Sequence, residues 1–367
     1  MPASLALWEE VYMSVKSVKN KGNHYDVTGT VHIAHPDDVC DAVCELLNTR
    51  YPDCDQTPVR LAFKTFAQLY AGELPGYLGN DTWYHDAQHS LDCALAIARL
   101  LDGHDRMVTP AQRVGERRAV LGVIAALFHD AGYIRKRDDA ETHGAEFTLN
   151  HVRRSGEFLA EFLPRAGFAA EVEMTRQLVH FTGYEIALDK IQVREPLDRK
   201  LGFLLGTADV LAQCADRCYL EKCRDFLYPE FEICGLAGTA RPGGPKPIYA
   251  SAEDLLRKTP EFNRKIWAER LDGYFEGAYR YLEFHFGGHN PYIETIHGHL
   301  DRLNGLLKKN RLHELRRRPV AINAPRLREL LGLRVKALNF LAPRFTAALP
   351  HLMRRISAAE QRRFIPA

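Results

Sequence analysis

Imidazoles and carboxylates recur in this chain inside segments that otherwise read as apolar helix. His85 and His89 fall in YHDAQH, His129 and Asp130 in LFHDAGY, His143 in ETHGA, His180 in LVHFTG and Asp209 in GTADVLAQ. Burying so many polar groups is costly unless each is paired or bound to metal. The adjacent His129-Asp130 pair is the sharpest signal. It follows AALF and precedes Gly132, so both side chains are expected at the end of a buried helix. There the histidine can hold one metal while the carboxylate bridges to a second, and a helix C-terminus favours cations. The pattern predicts a binuclear metal site of hydrolytic type, using two divalent ions drawn from Mn, Mg, Fe or Zn.

The scaffold that must position these residues reads as nearly all-α. At 367 residues, with 46% apolar and 26% charged residues, the chain can bury one large core. Residues 1–60 are mixed: YDVTGTVHIAHPDD alternates as a strand or small hairpin would, and DDVCDAVCELL reads as a helix capped by Asp37 or Asp38. From Pro58 the pattern turns helical. One helix is expected to end at Gly72, the next at Gly103, and the central apolar one at Gly132, with others near 143–163, 168–181, 200–224, 262–286 and 291–309. A Gly/Pro-rich loop near 235–251 has the length of a lid or binding loop. Residues 61–299 are thus expected to form the main domain and 300–367 a basic helical extension.

Each motif also has a plainer explanation. His85 and His89, four apart, are expected on one helix face, where two histidines alone often line a surface. His143 and His180 gain weight only from the set. Asp209 can pair with Arg217 or Lys222, although Asp216 is the better partner for them. HFGGHNPYIETIHGH brings His285, His289, His297 and His299 close in sequence, but without a carboxylate or thiolate at ligand spacing, so a structural role is expected. The eight cysteines lack CxxC spacing, and Cys214 and Cys218 fit i,i+4 packing on one helix. Reduced thiols and an N-terminus unlike a secretory leader point to the cytoplasm. Residues 300–367 hold 16 Lys and Arg against four Asp and Glu, leaving a net −10 on the rest of a chain whose total is +2. Such a tail suits an anionic partner or the acidic body itself.

These motifs resemble the HD-domain metal-dependent phosphohydrolase superfamily, with its H…HD…D signature on a helical bundle, over roughly residues 80–225. YHDAQHSLD is similar to the YHNxxHAxD motif of cyclic-nucleotide phosphodiesterases, and GTADVLAQCADR to their last metal-aspartate segment. THGAEF and VHF resemble the extra histidines of binuclear bacterial signalling members. The resemblance implies that His89, His129, Asp130 and Asp209 bind one metal. Asp130 would bridge to a second, helped by His143 and His180, while His85 would be the general acid. The implied substrate is a small, nucleotide-like phosphoester, with a 3',5'-cyclic nucleotide among the candidates, and a homodimer is left open. The chain departs from its relatives in having neither HPG nor GYP after HD, in carrying Tyr133 in place of a common lysine, and in having no glutamine between Gln213 and Gln361. Two other readings stand beside hydrolysis: a di-iron oxygenase on the same ligands, and a non-catalytic binding module docking through its basic tail.

Overall fold

Residues 22–240 and 244–332 are described by the computed structural model. The helices are α1 (Pro36–Arg50), α2 (Thr57–Ala71), α3 (Ala87–Met107), α4 (Glu116–Phe128), α5 (His151–Phe162), α6 (Val172–Leu178), α7 (Pro196–Ala215), α8 (Tyr219–Lys222), α9 (Tyr228–Ile233), α10 (Ala252–Ile266), α11 (Tyr281–His285) and α12 (Pro291–Lys308). Among the described residues there is no sheet, only isolated bridges such as Tyr25 with His32. The fold is all-α. No described helix is long and apolar enough to cross a membrane.

Helix α3 is the hub, packed by α1, α4, α7 and α11. Residues 87–105 are all buried, so its polar side chains need internal partners. Arg99 donates to Asp26 at 2.8 Å and to the Tyr292 hydroxyl at 2.9 Å. Asp102 accepts from Arg50, Arg106 and His285, which assigns His285 a structural role. The core also takes in Ile33, Val43 and Leu47 on one flank and Leu303, Leu315 and Ile322 on the other. The compositional boundaries at 60 and 300 therefore do not coincide with a break in packing.

Several sequence expectations are corrected by tertiary contacts. The alternating stretch after Tyr25 forms one antiparallel bridge, Tyr25 with His32, as a small hairpin would, and no longer strand. The Asp26 carboxylate accepts the backbone N–H groups of Thr28, Thr30 and Val31, winding the segment into a turn. Helix α1 begins at Pro36, a favoured first position, with Asp37 and Asp38 in its first turn rather than as caps. Gly72 does end α2, in the left-handed conformation. Gly103 does not end α3, which runs on to Met107. A Cβ there would lie 1.9 Å from the Tyr281 carbonyl oxygen, so this glycine admits α11.

The helix expected over 200–224 breaks at Asp216. That carboxylate takes the Cys218 N–H and the Lys222 ammonium, both at 2.7 Å, which starts α8 and separates Cys214 from Cys218. Lys222 thus pairs with Asp216 and leaves Asp209 for other use. Residues 262–286 are split by a π-helical turn at Trp267–Tyr274. All eight cysteines are free. Residues 1–21 and the part of the basic extension from 333 onward lie outside the described residues.

Candidate metal centre

Three helices deliver the cluster. His89 lies in the first turn of α3, His129 caps the C-terminus of α4 and Asp209 sits mid-way along α7. Their donor atoms lie within 4.8 Å of one another, and all three residues are buried. His89 Nε2 is 3.2 Å from Asp209 Oδ1 and 3.6 Å from Asp130 Oδ2. His129 Nε2 stands 3.3 Å from Asp130 Oδ2 and 3.5 Å from Asp209 Oδ1. This buried group can hold a metal ion.

The donor chemistry fits that use. His129 Nδ1 can only donate to the Ala126 carbonyl at 2.7 Å, which turns Nε2, the atom a cation would replace a proton on, toward the carboxylates. A histidine ligand is held in its tautomer by the same kind of outer hydrogen bond. His129 Nε2 and Asp130 Oδ2 are buried with no hydrogen-bond partner, as expected of atoms whose partner is a cation. Burial opposes charge on both partners. Even so, the Asp130 and Asp209 carboxylates hold His129 well above its ordinary pKa, and the surrounding histidines hold both carboxylates below theirs. The site is electrically built for positive charge.

Asp130 faces two ways. Its second oxygen, Oδ1, is 3.7 Å from His151 Nε2, a residue that the sequence motifs do not single out. His151 repeats the His129 device: Nδ1 donates to the Thr148 carbonyl at 2.9 Å. Burial lowers its pKa to about 4, so the ring is neutral and Nε2 is a lone pair. What brings His151 here is Gly132. A Cβ on Gly132 would sit 1.9 Å from the His151 carbonyl oxygen. The Gly132 N–H donates to Ser155 Oγ at 2.8 Å and its carbonyl accepts from Arg154 at 2.8 Å. The α-helix has already stopped at Phe128, so Gly132 acts by close approach and not as a helix terminator. Gly132→Ala is expected to push α5 away and lower stability by about 1–3 kcal/mol, read as a fall in melting temperature.

The two histidines assigned to a second metal make no ion pair with Asp130 or Asp209, although each keeps a buried ring nitrogen without a hydrogen-bond partner, His143 Nε2 and His180 Nδ1. His143 is the N-cap of the turn Gly144–Phe147; its Nδ1 accepts the Ala145 N–H at 3.1 Å, and its ring packs 4.8 Å from Trp83. His180 sits in the turn Val179–Phe181, neutral because burial and the Arg176 charge lower its pKa. Neither lines the cavity that opens on the cluster, whereas His151 does.

His85 also lines that cavity, but not on the helix face of His89. Asp86 is the N-cap of α3, accepting the His89 N–H at 3.0 Å, so His85 precedes the helix. Its counterion is neither Asp86, which also accepts the Ile322 N–H, nor Asp92. Burial, with the Asp26 charge added, pushes the Asp92 carboxyl up to about 8, so it is uncharged at neutral pH. The partner is Glu230 of α9, whose Oε2 lies 2.6 Å from His85 Nδ1 and whose Oε1 accepts the Trp83 and Tyr84 N–H groups. Burial disfavours the imidazolium, yet the Glu230 carboxylate, with Asp130 and Asp209 adding to it, more than offsets this and raises the His85 pKa above the ordinary value. Tyr133 stacks between His85 and His151, with centroids 4.3 Å from each. Arg135 and Lys136, just beyond the cluster, are engaged with Asp81 and Glu161.

Compared with known proteins, the chain matches no family model, no curated protein and no solved structure. The HD-type resemblance therefore stands on the motifs alone.

Proposed function

We propose that this protein is a metal-dependent phosphoester hydrolase that uses two divalent ions, with His85 as its general acid. One observation carries the reading: the buried donor set and His85, itself paired to the buried Glu230, line one cavity. His89, His129, Asp209 and Asp130 Oδ2 would hold one ion. Asp130 Oδ1 and His151 would hold the second, in the role expected of His143 and His180. The mixed imidazole–carboxylate set accepts Mn, Mg, Fe or Zn.

Divalent ions bound there supply Lewis acidity toward a phosphoryl oxygen and lower the pKa of water. The remaining work falls to side chains. The acidified water gives one proton to solvent; as the hydroxide oxygen left behind bonds to phosphorus, the ester P–O bond breaks and its electron pair stays on the leaving oxygen. His85 gives that oxygen a proton from Nε2, and Glu230 stabilises the imidazolium before transfer. Tyr133 holds the ring in plane beside the cluster.

The test is turnover by protein stripped of metal and reloaded with Mn²⁺, Mg²⁺, Fe²⁺ or Zn²⁺. The panel holds 3',5'-cyclic nucleotides, linear diesters and monoesters. Metal-dependent ring opening of a cyclic nucleotide, or release of an alcohol from a linear diester or monoester, supports the proposal. Tight binding of two ions with no ester cleaved, and oxygen uptake by the Fe²⁺ form, would replace it with the oxygenase reading.

A further inference from the structure

The cavity on the cluster is larger and more apolar than a phosphate requires. It measures about 620 Å³, and beyond the metal-binding end its walls include Val210, Leu227, Phe231, Leu255 and Ile266. Several of the polar side chains that reach it are engaged within the protein, while the Lys265 ammonium, 4.0 Å from Glu269, stays largely in solvent. Gln213 donates to Asp209 and accepts from the Tyr84 hydroxyl, each at 3.4 Å. The Thr259 hydroxyl donates back to the Leu255 carbonyl at 2.9 Å, and the Tyr219 hydroxyl accepts from Asn263 at 3.2 Å. Arg270 donates to the carbonyls of Phe181, Thr182 and Gly183, and Glu185 accepts the Val152 and Arg153 N–H groups. A nucleobase edge buried against such walls would leave its donors and acceptors unpaired, which costs affinity.

The mouth extends the same character into solvent. Leu149, Tyr184, Ile248 and Phe262 are exposed large apolar side chains, and all four line this cavity. Apolar side chains are therefore present both at the mouth and along the walls, with the Lys265 ammonium and the Tyr184 and Tyr249 rings set among them. A compact aromatic ester would fill the interior and leave that rim in water; a chain covers both.

We propose that the ligand is an amphiphilic phosphoester, with its phosphate at the cluster and a long aliphatic chain lying along the cavity and out between Leu149, Tyr184, Ile248 and Phe262. The reaction in this proposal rests on the hydrolase reading, whereas the substrate class rests on the cavity.

Two series of probes keep these apart, both used below their micelle-forming concentrations with the metal-loaded full chain. Calorimetry measures binding of butyl, octyl and dodecyl phosphate. Kinetics follow p-nitrophenyl diesters bearing the same alkyl groups. Each methylene buried tightens binding about threefold to fourfold, so dodecyl phosphate is expected to bind more than about 100-fold better than butyl phosphate. Ile248→Asp and Phe262→Asp, at exposed positions, are expected to shrink that ratio at least tenfold, on the order of the loss of two or more buried methylenes. Affinity that is flat with chain length overturns the proposal, as does a cyclic nucleotide binding more tightly than dodecyl phosphate. A steep binding series with no ester hydrolysed supports the substrate class and overturns the hydrolase reading; a flat series with turnover of the butyl ester does the reverse.

Discussion

Asp209→Ala is expected to strip the protein of its most tightly bound metal and to abolish metal-dependent hydrolysis. Asp209 Oδ1 is the oxygen that both His89 Nε2 and His129 Nε2 approach, at 3.2 and 3.5 Å. Without it, two imidazoles and one oxygen of Asp130 remain for the first ion. Outer-shell changes alone cost about 10–100-fold in metal affinity, so loss of a direct ligand is expected to exceed about 100-fold on that scale. Elemental analysis after gel filtration reads the stoichiometry, and thermal unfolding gives a second readout. A metal at about 100 times its Kd adds about 2.7 kcal/mol to the folded state, and this gain should vanish in Asp209→Ala. His151→Ala separates the two positions: it is expected to lower the stoichiometry from two ions to one while the first stays bound. Asp209→Ala protein that keeps wild-type metal content and its thermal response to metal would remove Asp209 from the ligand set.

What was legible in the sequence follows a physical rule. His129, Asp130 and Asp209 stand out because they interrupt runs that are buried on every face, where a polar group needs a reason. His89 is readable for the same cause, since α3 is buried along most of its length. Glu230 leaves no such trace. It lies in the short helix α9 among half-buried neighbours, and its partner is 145 residues away in sequence. His151 and His143 look alike in the sequence, both imidazoles near the start of a helical segment. Only the close approach at Gly132, a tertiary contact, brings His151 and not His143 to Asp130. One clue was available: the buried face of α5 is read by Val152, Ser155, Phe158, Leu159 and Phe162, which puts His151 beside a packed stripe. The all-α class was legible because periodicity is local. The breaks at Asp216 and in the turn after Tyr25 were not, because each depends on a carboxylate capturing backbone N–H groups.

Glu230→Gln is expected to slow turnover and move its alkaline limb to lower pH while leaving bound metal unchanged. The glutamine can keep Oε1 on the Trp83 and Tyr84 N–H groups, so the local backbone retains its acceptor. What it removes is the negative charge that raises the His85 pKa against the effect of burial. A general acid must be protonated to act, so wild-type activity is expected to persist to a pH above the ordinary histidine value and to fall as pH rises through the raised one. The same charge appears in stability. Imidazolium pairing contributes fully below the ordinary value of 6.5 and is lost as pH rises through the folded-state value. The stability gap between wild type and Glu230→Gln should therefore be widest in acid and close toward alkaline pH. His85→Ala provides the limiting case: kcat is expected to drop about 10²–10⁴-fold with metal content intact. A merely structural pair would alter stability without moving the pH profile. An unshifted alkaline limb in Glu230→Gln, or normal turnover in His85→Ala, would take the proton donor away from His85.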